Sequence, residues 1–319
     1  MAIDADLQRF IDQTLRDFPL PRDPEDLRAF EQRYADASAA LPKIDRPVTA
    51  VDFQLTAPEK KLLARLYRPD AVKQPPLLVW FHGGGWCAGN LDTHDGLCRD
   101  LSFELGVAVA SVHINGASEQ GLLQGCDDAL HAAQALLGAR RRLKLDTQHF
   151  FIGGDGSGAH LALQAAWRLQ RVQPAAVDAV LALYPLCKPD FNTGSYIRNA
   201  RAPLFSRGDA VRAWQGLLQG RWDTWDERAV LMHGNTPLER APVVVLVGAE
   251  FDVVHDDAIA LHDWLRASSV RVEFFGAPLM PHDFVRMQHA SPLAAQLTSD
   301  ILAAFNDLSG LNAIRSRPL

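Results

Sequence analysis

The sequence predicts an α/β protein with a mostly parallel, doubly wound sheet, helices on both faces of that sheet and a helical cap. First, short runs of consecutive apolar residues recur along the chain, which is typical of strands buried on both faces. Second, stretches with apolar residues at helical spacing separate these runs, as crossover helices do between parallel strands. Third, 319 residues that are 48% hydrophobic are enough to bury one large core.

The individual elements follow from these periodicities. Two alternating stretches predict antiparallel strands at residues 48–55 and 61–67. The continuous apolar runs predict further strands at residues 77–81, 107–112, 150–152, 180–183 and 243–247, followed by a late strand at 271–275. Helical spacing predicts helices at about residues 7–18, 24–40, 126–138, 157–171, 256–267 and 292–305.

The same pattern suggests how the chain is divided. Residues 1–45 are expected to form two N-terminal cap helices, residues 46–307 the main domain and residues 308–319 a C-terminal tail. Between about residues 187 and 237 the alternation of strands and helices lapses, and this stretch contains Trp214, Trp222 and Trp225. It is too long for an ordinary connection. An inserted cap is one interpretation, and an irregular structural connection is the other.

Charge and composition exclude several functional classes. The net charge of −6 arises from 32 basic and 38 acidic residues that are mixed along the chain, so we expect no nucleic-acid partner and no anionic-lipid surface. Polar residues such as Asp4, Asp6 and Arg9 interrupt the N-terminus, which argues against a signal peptide or a membrane span. The expected location is the cytoplasm, and the expected assembly is a monomer or a homodimer.

Cysteine and histidine placement argues against metal sites. The four cysteines are far apart and include no CxxC pair, so they predict neither a zinc site nor a disulfide framework; they are Cys87, Cys98, Cys126 and Cys187. Several histidines stand singly without ligand spacing; they are His131, His149, His160, His233 and His289. We therefore expect no metal and no cofactor.

The strongest local motif is His82-Gly83-Gly84-Gly85-Trp86, which directly follows the predicted strand 77–81. Consecutive glycines allow backbone conformations that side chains forbid, and they let N–H groups approach a bound oxygen closely. An oxyanion hole requires such N–H groups. A tight turn is one alternative. A phosphate cradle is another, but neither GK[ST] nor GxGxxG accompanies the glycines.

This segment, together with residues 90–95 behind it, resembles the HGGG motif and the Asp-x-x-His-Asp continuation of the hormone-sensitive-lipase-like esterases. These enzymes have the α/β-hydrolase fold. The resemblance implies that the N–H groups of Gly84 and Gly85 form most of an oxyanion hole, with His82 and Gly83 in the supporting motif.

A second motif, Gly154-Asp155-Gly156-Ser157-Gly158, lies between a predicted strand and a predicted helix, which is the layout of a nucleophile elbow. The family has Gly-Asp-Ser-Ala-Gly there. The alignment puts Gly156 at the serine position, Ser157 at the alanine position and Asp155 in the supporting motif.

Ser157 could itself be the nucleophile, but centring GxSxG on it would require glycines at positions 155 and 159. A shift of one residue also turns a side chain by about 100° on a helix. We therefore expect Ser157 to contribute a third oxyanion N–H group and a hydroxyl at the helix start.

Two downstream segments resemble those that carry the family's catalytic acid and base. Asp252 follows the predicted strand 243–247 and matches the aspartate that orients the histidine. His282 matches the catalytic histidine, but Asp283 follows it where the family usually has glycine. A carboxylate there could raise or misdirect the basicity of the imidazole. The order 156, 252, 282 is that of α/β-hydrolases.

The chain also departs from the family around residues 112–119. Relatives carry Tyr-Arg-Leu-Ala-Pro-Glu there to brace the oxyanion loop, and only Ala117 and Glu119 fit this motif. We expect the bracing to differ in this chain.

The resemblance spans about residues 48–305 and implies hydrolysis of carboxylic esters with short or medium acyl chains, by a serine that His282 would activate and Asp252 would assist. Gly156 has no side-chain oxygen, so no acyl-enzyme can form. Either the serine was lost, by engineering or naturally, from a hydrolase whose ligand is a small-molecule ester, or the chain is a non-hydrolytic binding protein or an elimination-type enzyme.

Overall fold

The computed structural model describes residues 2–19, 27–56, 61–114, 123–222, 226–232 and 240–312. The strands in these ranges are β1 (Val48–Thr56), β2 (Lys61–Pro69), β3 (Leu77–Phe81), β4 (Ala108–Val112), β5 (Phe150–Asp155), β6 (Ala179–Leu183), β7 (Val243–Phe251) and β8 (Val272–Pro281). They form one eight-stranded sheet in the order β1-β2-β4-β3-β5-β6-β7-β8. β2 pairs antiparallel with β1 and with β4, and all other neighbours are parallel. The predicted sheet is confirmed.

Most of the helices in the described ranges begin and end close to the predicted positions. They are α1 (Ala5–Asp17), α2 (Leu27–Ala39), α3 (Asp95–Leu105), α4 (Gln124–Ala139), α5 (Ser157–Val172), α6 (Gly194–Arg198), α7 (Arg207–Leu218), α8 (His255–Ala267) and α9 (Pro292–Leu308). Helices cover the central strands so completely that β3, β4, β5 and β6 are buried along their whole length. This explains their continuous apolar sequences, because a strand that meets packed side chains on both faces has no polar face.

Helix α3 was absent from the prediction, as were the two helices α6 and α7 inside the segment 187–237. The periodic signal of α3 is real, since Leu97, Leu101 and Leu105 recur every fourth residue and are all buried. Polar residues of the adjoining motif at 90–95 obscured where the helix starts. The N-cap residue of α3 is His94, and its side chain makes no capping hydrogen bond. The usual sequence signal for a helix start is therefore missing.

The N-terminus of α5 lies directly against the end of β3. A Cβ atom added to Gly158 would stand 2.0 Å from the Phe81 carbonyl oxygen and 2.6 Å from that of His82. Since real Cβ atoms do not approach backbone oxygens so closely, only glycine permits this contact. It places the start of α5 beside the glycine-rich loop that follows β3.

No helix in the described ranges combines the length and the apolar character that crossing a lipid bilayer requires.

The contact at Gly158 gives a testable prediction. We expect Gly158→Ala to lower the free energy of unfolding by about 1–3 kcal/mol or more, because the methyl group would collide with backbone that cannot move aside. Gly138→Ala is the matched control: it lies in α4 with no heavy atom near its added Cβ, and it should stabilise by about 0.4–1 kcal/mol. Denaturant unfolding measures both. Equal stability of the two variants would contradict the close approach.

Candidate active site

Gly156 occupies the sharp turn between β5 and α5. Its φ of +54° and ψ of −119° are disfavoured for residues with a side chain, and its N–H donates to the Leu183 carbonyl at the end of β6, at 2.9 Å. A Cβ atom at this position would lie 3.2 Å from His282 Nε2 and 3.7 Å from His282 Cε1. The turn therefore aims the side-chain direction of residue 156 at the imidazole.

His282 and Asp252 form a buried hydrogen-bonded pair beyond the ends of β8 and β7. His282 Nδ1 lies 2.6 Å from Asp252 Oδ2, and the other Asp252 oxygen accepts the Val254 N–H at 3.1 Å. Because a carboxylate only accepts, Nδ1 carries the proton that it donates, and the lone pair of the neutral ring is on Nε2. The lone pair thus faces Gly156.

The pKa of His282 reflects two opposing effects. Burial alone would lower it, but the negative charge of Asp252, its hydrogen bond, and the charges of Asp283 and Asp155 raise the pKa above its ordinary value of 6.5. Two aromatic rings hold the imidazole in place: Phe205 stacks on it at 4.6 Å between centroids, and Tyr184 lies at 4.8 Å.

Three residues that could supply backbone N–H donors lie in the same cavity as this pair. Gly84 and Gly85, with φ of +117° and +65°, and Ser157 at the first turn of α5 all line the same cavity as His282. In the described part of the chain these N–H groups have no backbone acceptor. Free N–H groups at a helix start and in a glycine loop are the donors that an oxyanion hole needs.

The Ser157 hydroxyl is directed elsewhere. Ser157 Oγ accepts a hydrogen bond from the Trp86 N–H at 3.2 Å, which ties the start of α5 to the glycine-rich loop. The side chain is 2% exposed. The hydroxyl braces this loop, and the hydrogen bonds of His282 do not include it.

The supporting residues lie behind the loop. Asp155 is fully buried and accepts from Trp80 Nε1 at 3.1 Å and from His94 Nε2 at 3.0 Å. A Cβ on Gly83 would come within 2.5 Å of Asp155 Oδ2, so glycine is required there. Burial alone would raise the pKa of Asp155, but the adjoining His94 ring lowers it overall. This role of His94 was not predicted, although the residue lies in the motif at 90–95.

His82 does not line the cavity with His282. It is buried, its Nε2 accepts the Ile114 N–H at 3.4 Å, and its ring stacks against His113 at 5.5 Å between centroids. Burial, together with the neighbouring imidazoles His94 and His113, lowers the pKa of His82 to about 3. The His82 ring is therefore neutral, and it packs beneath the glycine-rich loop against His113.

Asp283 is held away from the His282–Asp252 pair. Its carboxylate forms an ion pair at 2.8 Å with the buried Arg286, which also donates to Tyr34 Oη and to Ser38 Oγ, both at 2.6 Å. Asp283 raises the pKa of His282 from a distance, while Asp252 keeps the direct hydrogen bond to Nδ1. Nothing in the sequence indicated Arg286, because its partners on α2 are more than 240 positions away in the chain.

The cavity that contains these groups has an empty volume of about 680 Å³, counting its open mouth. Part of its wall comes from helix α2 and from residues 204–213; their lining residues include Phe30, Arg33, Tyr34, Leu204, Phe205 and Arg212. The volume is suited to a small organic ligand.

All four cysteines are free, and Cys87 alone among them lines the cavity. Burial raises the pKa of Cys87 to about 12, so its sulfur is a neutral thiol near neutral pH and a poor nucleophile. Within the ranges that the structure describes, no group of three or more His, Cys, Asp or Glu is arranged to hold a metal ion. The expected bracing residues Ala117 and Glu119 lie outside the described residues, as do Trp225 and His233.

Comparisons with known proteins identify relatives of this chain. The model of a protein family described as alpha/beta hydrolase fold matches residues 78–286. Carboxylesterase NlhH of Mycobacterium tuberculosis is 31% identical over 243 residues, which are 75% of this chain and 76% of the relative. The ethyl acetate hydrolase of Pseudomonas putida is 30% identical over 262 residues, covering 80% and 82% of the two chains.

Solved structures match as well. A thermostable esterase from Pseudomonas putida superimposes with a TM-score of 0.86 at 22% identity, covering 97% of both chains. A hyperthermophilic esterase from the archaeon Pyrobaculum calidifontis has the same TM-score and identity, covering 97% of this chain and 99% of its own. At this level of identity the structural matches show the fold alone.

The environment of His282 predicts how its imidazole titrates. We expect an NMR titration to give a pKa above 6.5, and Asp252→Asn to lower it by about 1–3 pH units, because the protonated ring loses the adjacent negative charge. Asp283→Asn is the matched control and should lower the pKa less, since that carboxylate is already paired with Arg286. If Asp252→Asn left the pKa unchanged, the pairing of His282 with Asp252 would be wrong.

Proposed function

The chain belongs to the alpha/beta hydrolase family whose model matches residues 78–286, and from this we propose that it is a carboxylic ester hydrolase by lineage in which Gly156 stands at the nucleophile position. The substrates of this lineage would be small-molecule esters with short or medium acyl chains, as the names of the relatives suggest. The loss of the serine leaves the chain severely impaired in acyl transfer.

One observation carries this proposal. The Cβ position of residue 156 lies 3.2 Å from His282 Nε2, so a serine there would have its hydroxyl beside the lone pair of the imidazole. A nucleophile and a base within hydrogen-bonding reach, with the base oriented by a third group, are the signature of covalent acyl transfer. Here Asp252 is the orienting group and Asp252–His282 the retained pair.

In this proposal the other site residues and segments have supporting roles. The N–H groups of Gly84, Gly85 and Ser157 would bind the oxyanion of the tetrahedral intermediate. Asp155, Gly83 and His82 would keep the glycine-rich loop in shape, and no step calls for a metal or a cofactor. Residues 1–45 and about 187–237 would form the cap, residues 46–307 the hydrolase domain that carries the insertion, and residues 308–319 a tail.

Restoring the serine tests the proposal. Removal of a triad serine costs on the order of 10⁶ in kcat, so this chain should turn over 4-nitrophenyl acetate very slowly. Gly156→Ser should raise kcat by several orders of magnitude. It should also lower the melting temperature by about 2–4 °C per kcal/mol of strain, because a side chain at positive φ costs about 1–3 kcal/mol.

The double variant Gly156→Ser with His282→Ala is the control, since it carries the same strain without the base. A folded Gly156→Ser protein with no gain on any short ester would refute the assignment of residue 156. The codon for residue 156 in the natural gene decides whether the serine was removed by engineering.

A second function, non-covalent binding of a small molecule or an elimination-type reaction, is favoured by the cavity beside His282, which is present although residue 156 has no side-chain nucleophile. A binding protein would hold a non-ester ligand with sub-micromolar affinity, and His282→Ala would not change that affinity. A hydrolase lineage predicts weak, substrate-like binding. Calorimetry against a panel of esters, carboxylic acids and lactones separates the two, and tight binding of an acid or a lactone would favour the second function.

A further inference from the structure

We propose that this chain hydrolyses activated esters without a covalent intermediate, by using His282 as a general base on a water molecule that lies beside Gly156. The inference rests on the proposed function, because it uses the same acyl site. It goes further because it assigns to the chain, without a serine at residue 156, a catalytic reaction that His282 and water can perform.

The first support is the space next to Gly156. Among the described residues, and apart from the glycine and its chain neighbours, the heavy atoms within 4 Å of the Cβ position are His282 Nε2 and Cε1. Because glycine has no Cβ, the space between its Cα and the imidazole is open, and a water oxygen in van der Waals contact with Cα can lie within hydrogen-bonding range of Nε2 there. An alanine methyl group, 3.2 Å from Nε2, would take up that space.

The second support is the state of the base. Asp252 accepts the proton of His282 Nδ1 at 2.6 Å, which leaves the lone pair of Nε2 free to take a proton from water. The rings of Phe205 and Tyr184 hold the imidazole in that orientation. A positioned base within reach of the proton that it removes is the geometric requirement for general-base catalysis.

The third support is the placement of the acyl group. The N–H group of Ser157 belongs to the residue after Gly156, and with those of Gly84 and Gly85 it lines the cavity that contains His282. A carbonyl oxygen bound by these donors brings its carbon next to residue 156. Water beside Gly156 would then lie between the base and the electrophile.

The reaction balances without any further reagent. The water oxygen forms a bond to the carbonyl carbon, and one water proton passes to His282 Nε2. The π electrons of the carbonyl move onto its oxygen, which the three N–H groups stabilise. When the intermediate collapses, the electrons of the oxyanion re-form the carbonyl bond, the bond to the leaving oxygen breaks, and that oxygen takes the proton from Nε2. The products are the carboxylic acid and the alcohol or phenol.

Competing nucleophiles in the cavity are disfavoured. Ser157 Oγ is engaged by the Trp86 N–H, and burial keeps the Cys87 thiol protonated. Water is a weaker nucleophile than a serine alkoxide, so the substrates are esters whose leaving groups depart readily. Aryl esters of short acids are the chemical class that this site would turn over.

The test compares three proteins on 4-nitrophenyl acetate: the chain itself, Gly156→Ala and His282→Ala. General-base catalysis contributes about 10²–10⁴-fold, so both variants should fall by that factor below the chain. A different result is expected if the chain has no general-base catalysis. In that case only substrate binding and oxyanion stabilisation accelerate the reaction, and removing His282 costs little further activity. Equal rates of the chain and His282→Ala would therefore overturn the proposal.

Gly156→Ala introduces backbone strain, so its melting temperature and circular dichroism are measured alongside. If the Gly156→Ala variant unfolds, the proposal is tested with His282→Ala and with pre-steady-state kinetics. The chain should release 4-nitrophenol without an initial burst, whereas Gly156→Ser should show one burst per active site. A burst from the chain itself that disappears in Ser157→Ala would identify a covalent nucleophile and overturn the water mechanism.

The failures of the two proposals are distinguishable. If Gly156→Ser is active while the chain is no faster than His282→Ala, the water mechanism is wrong and the ester-hydrolase lineage stands. If both the chain and the folded Gly156→Ser variant are inactive on short esters, the lineage proposal fails and the water mechanism fails with it.

Discussion

The site depends on the backbone contact between the start of α5 and the end of β3. Gly158 lies so close to the Phe81 and His82 carbonyl groups that any side chain there would separate the two elements. This contact brings the N–H group of Ser157 beside those of Gly84 and Gly85, although more than 70 residues separate the two segments in the chain. The hydrogen bond from the Trp86 N–H to Ser157 Oγ holds the same two segments together at 3.2 Å.

The charges around the site are arranged so that one imidazole nitrogen remains free. Asp252 holds Nδ1, while Arg286 neutralises the extra carboxylate of Asp283 and links it to α2 through Tyr34. A partly buried carboxylate without such a partner would be costly and could compete for the imidazole. Because these pairings are satisfied, the acyl-transfer site that we propose would need only a side-chain oxygen at residue 156 to be complete.

Much of the fold was predictable because strands buried on both faces leave continuous apolar runs, and the candidate site was predictable because its motifs follow those strands. What escaped prediction depends on contacts between distant segments. Arg286 looks like a surface residue in the sequence, yet it is 8% exposed and bonded to α2. Likewise Phe205 stacks on His282, which is 77 positions further along the chain, and no local pattern indicates such a contact. The assignments of catalytic roles to Gly156, Asp252 and His282 stay predictions.

The position of the nucleophile is most directly tested by covalent labelling with a 4-nitrophenyl alkylphosphonate, followed by peptide mass spectrometry. Phosphonates of this kind acquire a stable bond to an activated serine hydroxyl that lies beside the base and the oxyanion donors. The chain itself should remain unlabelled, and Gly156→Ser should acquire one label on the peptide, located at residue 156. A label on Ser157 in either protein, or no label on a folded Gly156→Ser variant, would contradict the placement of residue 156 at the centre of the site.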